Sequence, residues 1–317
     1  MRRRLTTLLA VAALGAGLTG CTSSDPVVGE GAAGSETRTI AHAMGSTEVP
    51  AQPKRVVVLD TDKIDTALSL GVVPVGAAQT GEVAGWPSYF GADQVDGITP
   101  VGLLAEPDLE AITALRPDLI LGSRFRQEKF YDELSAIAPT VFTERVGITW
   151  KENFLLDGTA LGREQEAKDL LAAYEKRARD LGSTLGDAAA RKISIVRFRP
   201  TEIRVYGPDS FSGLVLGDVG LGRPERQLLA DKEDKRFDKV SPERIAEVDG
   251  DIIFVTAFGE KAAAEQARVT GGSLWKNLSA VRAGRAYVVA DETWMTGIGV
   301  TAAGKILDDL ERYVPAA

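Results

Sequence analysis

Four arginines stand directly after apolar runs: Arg124 and Arg126 follow residues 119–121, and Arg197 and Arg199 close the run 192–198. A guanidinium keeps its charge and offers a fixed fork of N–H donors, which suits negatively polarised oxygens. If each run continues as extended chain, the two arginines of a pair share one face. Ion pairing with surface carboxylates is the rival reading for each of them. Aromatic residues recur at comparable points. Trp86 and Tyr89 lie in the segment 79–91, and Trp150, Phe211, Phe258 and Trp294 stand elsewhere. Together they could line an amphipathic bowl around hydrocarbon, or they could fill the core.

Metal capture and catalysis are poorly served. Bare transition metals draw on imidazole, thiolate or clustered carboxylates, and the chain has one histidine, His42, and one cysteine, Cys21. No metal site and no cofactor are therefore expected. Tyrosine ligation stays open, with Tyr89 first in line among six tyrosines. Gly299-Val300-Thr301-Ala302-Ala303-Gly304-Lys305-Ile306 nearly spells a phosphate loop, but Ile306 replaces the hydroxyl residue that would hold magnesium. It reads better as the start of a C-terminal helix. No Gly-x-Ser-x-Gly elbow occurs, so an enzyme is not expected. Asp308 and Asp309 read as a solvated helical face.

These residues need elements to position them. Short β-branched runs alternate with helical patterns: strand candidates at 55–59, 73–76, 118–121, 192–198, 203–206, 251–256 and 286–290, with helices at 64–70 and 109–115. Such alternation is the mark of parallel-sheet α/β construction. Residues 109–121 are echoed by 242–254, each a short helix feeding an apolar strand, which predicts two similar lobes. Between them Ala167, Leu170, Leu171, Tyr174, Ala178 and Leu181 recur at helical spacing. A continuous helix there predicts a stiff connector and a cleft whose walls move little. In such lobes ligands sit beyond the carboxyl ends of the strands, where the arginines fall.

The ends add a location. Arg2, Arg3 and Arg4 precede an uncharged run, residues 5–18, too short for a permanent membrane span. Leu18-Thr19-Gly20-Cys21 resembles the lipobox of bacterial lipoproteins, whose cysteine becomes the lipidated first residue. The arginines leave general and twin-arginine export both open. Residues 22–44 are rich in Gly, Ala, Ser and Thr without apolar period, as in a flexible tether. Removal of residues 1–20 leaves 34 cationic residues against 45 acidic ones, a formal charge of -11. That balance argues against a nucleic-acid partner.

The lipobox, the strand Pro117-Asp118-Leu119-Ile120-Leu121, the junction Leu161-Gly162-Arg163-Glu164 and Arg223-Pro224 resemble ferric-siderophore substrate-binding proteins of ABC importers. Arg197-Phe198-Arg199-Pro200 and residues 206–213 resemble the members that bind hydroxamate siderophores such as desferrioxamines. The resemblance covers the mature chain. It implies two Rossmann-like α/β lobes joined by one long rigid helix, with the ligand cleft between them. The expected boundaries are a signal peptide at 1–20, a tether at 21–44, an N-terminal lobe at 45–161, the connecting helix at 162–184 and a C-terminal lobe at 185–317.

The implied function is capture of a ferric siderophore at the outer face of the cell membrane by a lipid-anchored monomer, and delivery to an ABC permease. Iron would arrive wrapped in its chelator, with Arg197 and Arg124 gripping chelate oxygens. Catecholate or citrate siderophores, a corrinoid or haem are the alternatives within the class, and a secreted hydrolase lies outside it. The resemblance further implies that Glu110 and Glu243, one on each lobe's rim, pair with arginines of the permease. Complementing a helix N-terminus is their plainer role.

Overall fold

The computed structural model describes residues 36–81 and 85–316. The expected signal peptide, Cys21 and most of the tether lie outside these residues. The tether expected up to residue 44 overlaps regular structure among the described residues: β1 (Thr37–His42) pairs antiparallel with β2 (Gly45–Pro50). His42 belongs to this hairpin, where its ring meets Thr47 Oγ1 at 2.9 Å and accepts from the Phe142 amide. One residue of each strand, Ile40 and Val49, is buried, a signal too short to stand out against a Gly- and Ser-rich background.

The first lobe holds β3 (Val56–Val58), β4 (Gly76–Gln79), β5 (Thr99–Leu103), β6 (Glu106–Pro107), β7 (Leu119–Ser123) and β8 (Thr140–Thr143), in the order β6-β5-β4-β3-β7-β8. All neighbours are parallel except β6. The strand expected at 73–76 begins at its last residue, and Val73 is half-exposed in the irregular chain before it.

The second lobe holds β9 (Ile193–Phe198), β10 (Ile203–Tyr206), β11 (Phe237–Val240), β12 (Ile252–Ala257) and β13 (Ala286–Val288), in the order β11-β10-β9-β12-β13. Here the parallel core carries an antiparallel edge. β12 runs parallel to β9 and β13, but β10 is antiparallel to both β9 and β11. The four residues between β9 and β10 permit only a hairpin, since a parallel crossover needs a dozen or more.

The connecting helix spans Glu164–Thr184 and buries Ala167, Leu171, Tyr174, Ala178 and Leu181 in one stripe. At 1.5 Å per residue its 21 residues reach about 32 Å. It packs against Trp150–Ala160 of the first lobe and against Phe211–Val219 and Val300–Tyr313 of the second. One hydrophobic cluster therefore runs from Val56 and Leu119 through Trp150 and Tyr174 to Ile195 and Phe254. Separate clusters cover the outer face of each sheet. Gly162 turns the chain into this helix at φ +75°, where a side chain would collide with the Ala51 carbonyl.

Two contacts tie the lobes at the cleft. Asp65, on the first helix Thr61–Ser69, accepts the amides of Thr301 and Ala302 at 3.0 Å each. The loop-like motif 299–306 is thus the start of the C-terminal helix Val300–Tyr313, and the group that accepts its first amides is the protein's own Asp65 carboxyl. Across the mouth, the Ser88 amide and hydroxyl donate to Glu292.

Candidate functional site

Strand ends build the cleft. Asp60 and Thr61 follow β3, Gln79 and Thr80 end β4, and Arg197, Ala257 and Asp291 stand at or beyond the carboxyl ends of β9, β12 and β13. Two cavities adjoin there and share Thr61, Thr80, Phe258 and Thr296. One, of about 300 Å³, is mainly apolar, with Ile64, Ala78, Trp86, Pro87 and Phe258 in its wall. The other, of about 320 Å³, is lined by Leu104, Arg126, Arg197, Arg199, Met295 and Ile298 among others.

Arg197 is fixed from several sides. Its Nε and Nη2 donate to the two carboxylate oxygens of Asp291 at 2.7 and 2.6 Å. Its guanidinium lies 4.6 Å from the centre of the Phe258 ring, and Nη1 reaches Tyr206 at 3.4 Å. Burial opposes this charge, but Asp291 overrides it and the group stays protonated. Arg199 covers the same ring at 5.4 Å, so this pair does share one side of the chain. Arg126 donates from Nε to Asp60 at 2.8 Å.

Arg124 does not join them. Residues Arg124–Gln127 form a helical turn rather than extended chain, so positions two apart diverge by about 200°. Arg124 is exposed and donates to Glu128 at 3.0 Å and to Glu144. It lines a separate recess of about 420 Å³ with Phe125, Arg145 and Arg236.

The aromatics divide in the same way. Trp86 and Phe258 line the cleft. Trp294 is fully buried, stacked on Phe254 at 4.4 Å with its indole N–H on Asp309. Trp150 and Phe211 pack edge-to-face beneath the connecting helix beside Tyr174. These three are core residues, which corrects the pocket expectation for them. Tyr89 stands behind the wall against Phe90 and Gly297. Burial, reinforced by Asp65 and Glu292, holds its phenol proton firmly and disfavours a tyrosinate ligand.

Composition alone gave no hint of a buried charge network under the cleft. Lys63 is wholly enclosed, pairs with Asp157 at 2.8 Å and Asp62 at 3.0 Å, and donates to Thr143. Burial works against its ammonium, but the two carboxylates prevail. Asp60 has its own partners, accepting from Ser123 and from Arg126 at the cleft surface. Asp60 and Asp291 could have been found by the rule that picked the arginines, because both follow strands; attention to cationic groups alone passed over them. Among the described residues no group of three or more histidine, cysteine or acidic side chains is placed to hold a metal ion.

Glu110 lies in the first turn of Leu109–Ala114 and Glu243 in the first turn of Pro242–Val248. Both are exposed, and among the described residues neither makes an ion pair. Glu243's own amide and then the Ser241 hydroxyl hold the Glu243 carboxyl below its ordinary value. No described helix is long and apolar enough to cross a membrane.

Comparison with known proteins places this geometry. The sequence profile described as periplasmic binding protein matches residues 56–293. The "Probable siderophore-binding lipoprotein YfiY" of Bacillus subtilis is 41% identical over 304 residues, covering 93% of each chain. The Fe(3+)-citrate-binding protein YfmC of the same organism is 31% identical over 301 residues, covering 94% of this chain and 92% of its own. Among solved structures, Staphylococcus aureus SirA complexed with staphyloferrin B superposes with a TM-score of 0.78 at 34% identity, over 89% of this chain and 99% of that one.

Proposed function

Since the chain belongs to the periplasmic binding protein family, we propose that it captures a ferric siderophore outside the cell membrane and delivers it to an ABC permease. The carrying observation is the cleft between the lobes, where Arg126, Arg197 and Arg199 face Trp86 and Phe258 across adjoining cavities. Guanidinium forks meet the oxygen-rich shell of the chelate, and the ring faces meet its hydrocarbon arms. The iron stays inside its chelator and touches no protein atom, and no cofactor takes part. The work is equilibrium binding, as suits a family of binding proteins.

A lipid on Cys21 holds the mature monomer at the outer membrane face, and Glu110 and Glu243 present one carboxylate per lobe to the permease. Exposed charges of this kind govern orientation and on-rate more than affinity. Similarity to siderophore-binding relatives and the free exposure of both glutamates support these roles.

Isothermal titration of the purified protein with iron-loaded and iron-free chelators of hydroxamate, catecholate and citrate type tests the proposal. Saturable binding of a ferric chelate, much tighter than of its iron-free form, is expected. Indifference to every chelate, together with ester turnover or tight uptake of corrinoid or haem, would reject it. Metabolic labelling with palmitate should mark the protein and spare Cys21→Ser.

A further inference from the structure

We propose that the cleft selects a net-anionic ferric chelate and clamps its carboxylate oxygens between Arg126 of the first lobe and Arg199 of the second; this rests on reading the cleft as a siderophore site. Three guanidiniums and no carboxylate line the cavity of about 320 Å³. Two of the charges are answered by carboxylates, one enclosed beneath the wall and one in the wall of the adjoining cavity, which Glu292 also lines. Asp291 takes both forks of Arg197, and the enclosed Asp60 takes Nε of Arg126.

Arg199 is not answered. Its nearest acid is Glu202, 3.8 Å from Nε and beyond hydrogen-bonding reach, and Glu202 is already bound by Arg204 and Lys239. Among the described residues the Arg199 guanidinium donates no hydrogen bond, and that of Arg126 donates only from Nε, leaving both of its Nη groups. Taken by itself, this chamber has one surplus positive charge and two unspent forks, which favours an anion and penalises a cation on the arginine side of the cleft, while Glu292 lies on the far side. A free carboxylate matches such a fork with two parallel N–H···O bonds.

This separates the siderophore classes by charge. A ferric trishydroxamate is neutral, or cationic when it trails an amine as in ferrioxamine B. A tris-catecholate is anionic, but all its phenolate oxygens are bound to iron. Chelates built on citrate carry negative charge with carboxylate oxygens at their edge. The adjoining, mainly apolar cavity under Trp86 and Phe258, whose rim also carries Asp291 and Glu292, would take the uncharged spacer between such groups.

The test is calorimetric titration with ferric citrate, ferric staphyloferrin B, ferrichrome, ferrioxamine B and a ferric tris-catecholate, on wild type and Arg199→Gln. At least one carboxylate chelate should bind tenfold or more tighter than ferrioxamine B, and Arg199→Gln should shrink that ratio by tenfold or more. Because Arg126→Gln alone would strip buried Asp60 of its partner, Arg126 is tested in the pair Arg126→Gln with Asp60→Asn, with the same expectation. Equal or tighter binding of ferrioxamine B, ferrichrome or the tris-catecholate overturns the inference and leaves the siderophore function standing, as does an unchanged ratio in Arg199→Gln. Silence toward all five chelates rejects the function itself.

Discussion

Arg197 shows what a side chain is asked to do in this cleft. Its fork is spent on Asp291 and its face on Phe258, so Arg197→Ala removes a charge and also exposes an unanswered carboxylate to the ligand. Affinity for the ferric chelate should fall at least tenfold in a protein that still unfolds cooperatively; unchanged affinity would remove the residue from the site. Arg197→Lys should lie between, since an ammonium cannot reproduce the two-pronged contact. Lys63 teaches the opposite lesson. Its truncation to Met strands Asp157 and Asp62 without their counter-charge in a closed interior, a change that costs about 3–5 kcal/mol. Urea titration should register that loss, and a cost below 1 kcal/mol would show that the network relaxes. The contrast marks what could be read from residue order. Position after a strand leads to Arg126, Arg197, Arg199 and Phe258, which the structure places around the cleft. It misplaced Trp150, Phe211 and Trp294, because a large ring after a helix or turn fits a bowl and a core equally well until the packing partner is known. Lys63 was passed over because a lysine in an Asp-Thr-Asp-Lys run looks like solvated surface.

Among the elements, the connecting helix was the most legible, since its apolar stripe repeats over 21 residues. The hairpin at 37–50 and the antiparallel turn of β10 were not, because short strands carry too few alternations to outweigh their composition. The C-terminal helix depends on a contact no local pattern contains. Its first amides are capped by Asp65 from the other lobe, and Gly299 at φ +144° leaves room for that carboxylate. Burial pushes the Asp65 carboxyl up to about 7, against the two amide contacts that pull it down. In the unfolded chain the same group loses its proton near pH 4. The native state therefore holds the extra proton between those values. Its contribution to stability is full below about pH 4 and is lost as pH rises through 7. Burial raises Asp60 in the same direction. The thermal midpoint should accordingly be higher at pH 5.5 than at pH 8, and Asp65→Asn should flatten that slope. A wild-type midpoint that climbs between these pH values would contradict the assignment.

At the scale of the molecule, one apolar cluster crosses from lobe to lobe beneath the cleft, so closing motions are resisted by close packing rather than permitted by a bare strand hinge. Small-angle scattering should give nearly the same radius of gyration with and without ferric chelate; a contraction of several ångströms would mean that the packed layer slides. The outward face carries the second expectation. Glu110→Lys with Glu243→Lys should leave chelate affinity intact while cutting iron uptake in cells, and normal uptake would reject the docking role. Finally, the way the four indoles are distributed makes the protein its own optical probe. Trp150, Trp275 and Trp294 are sealed in the interior, whereas Trp86 alone faces the cleft. Any quenching on addition of a coloured iron complex should therefore come mostly from a single fluorophore. Trp86→Phe should silence the signal while calorimetry still detects the ligand, so occupancy can be followed in real time without attaching a dye.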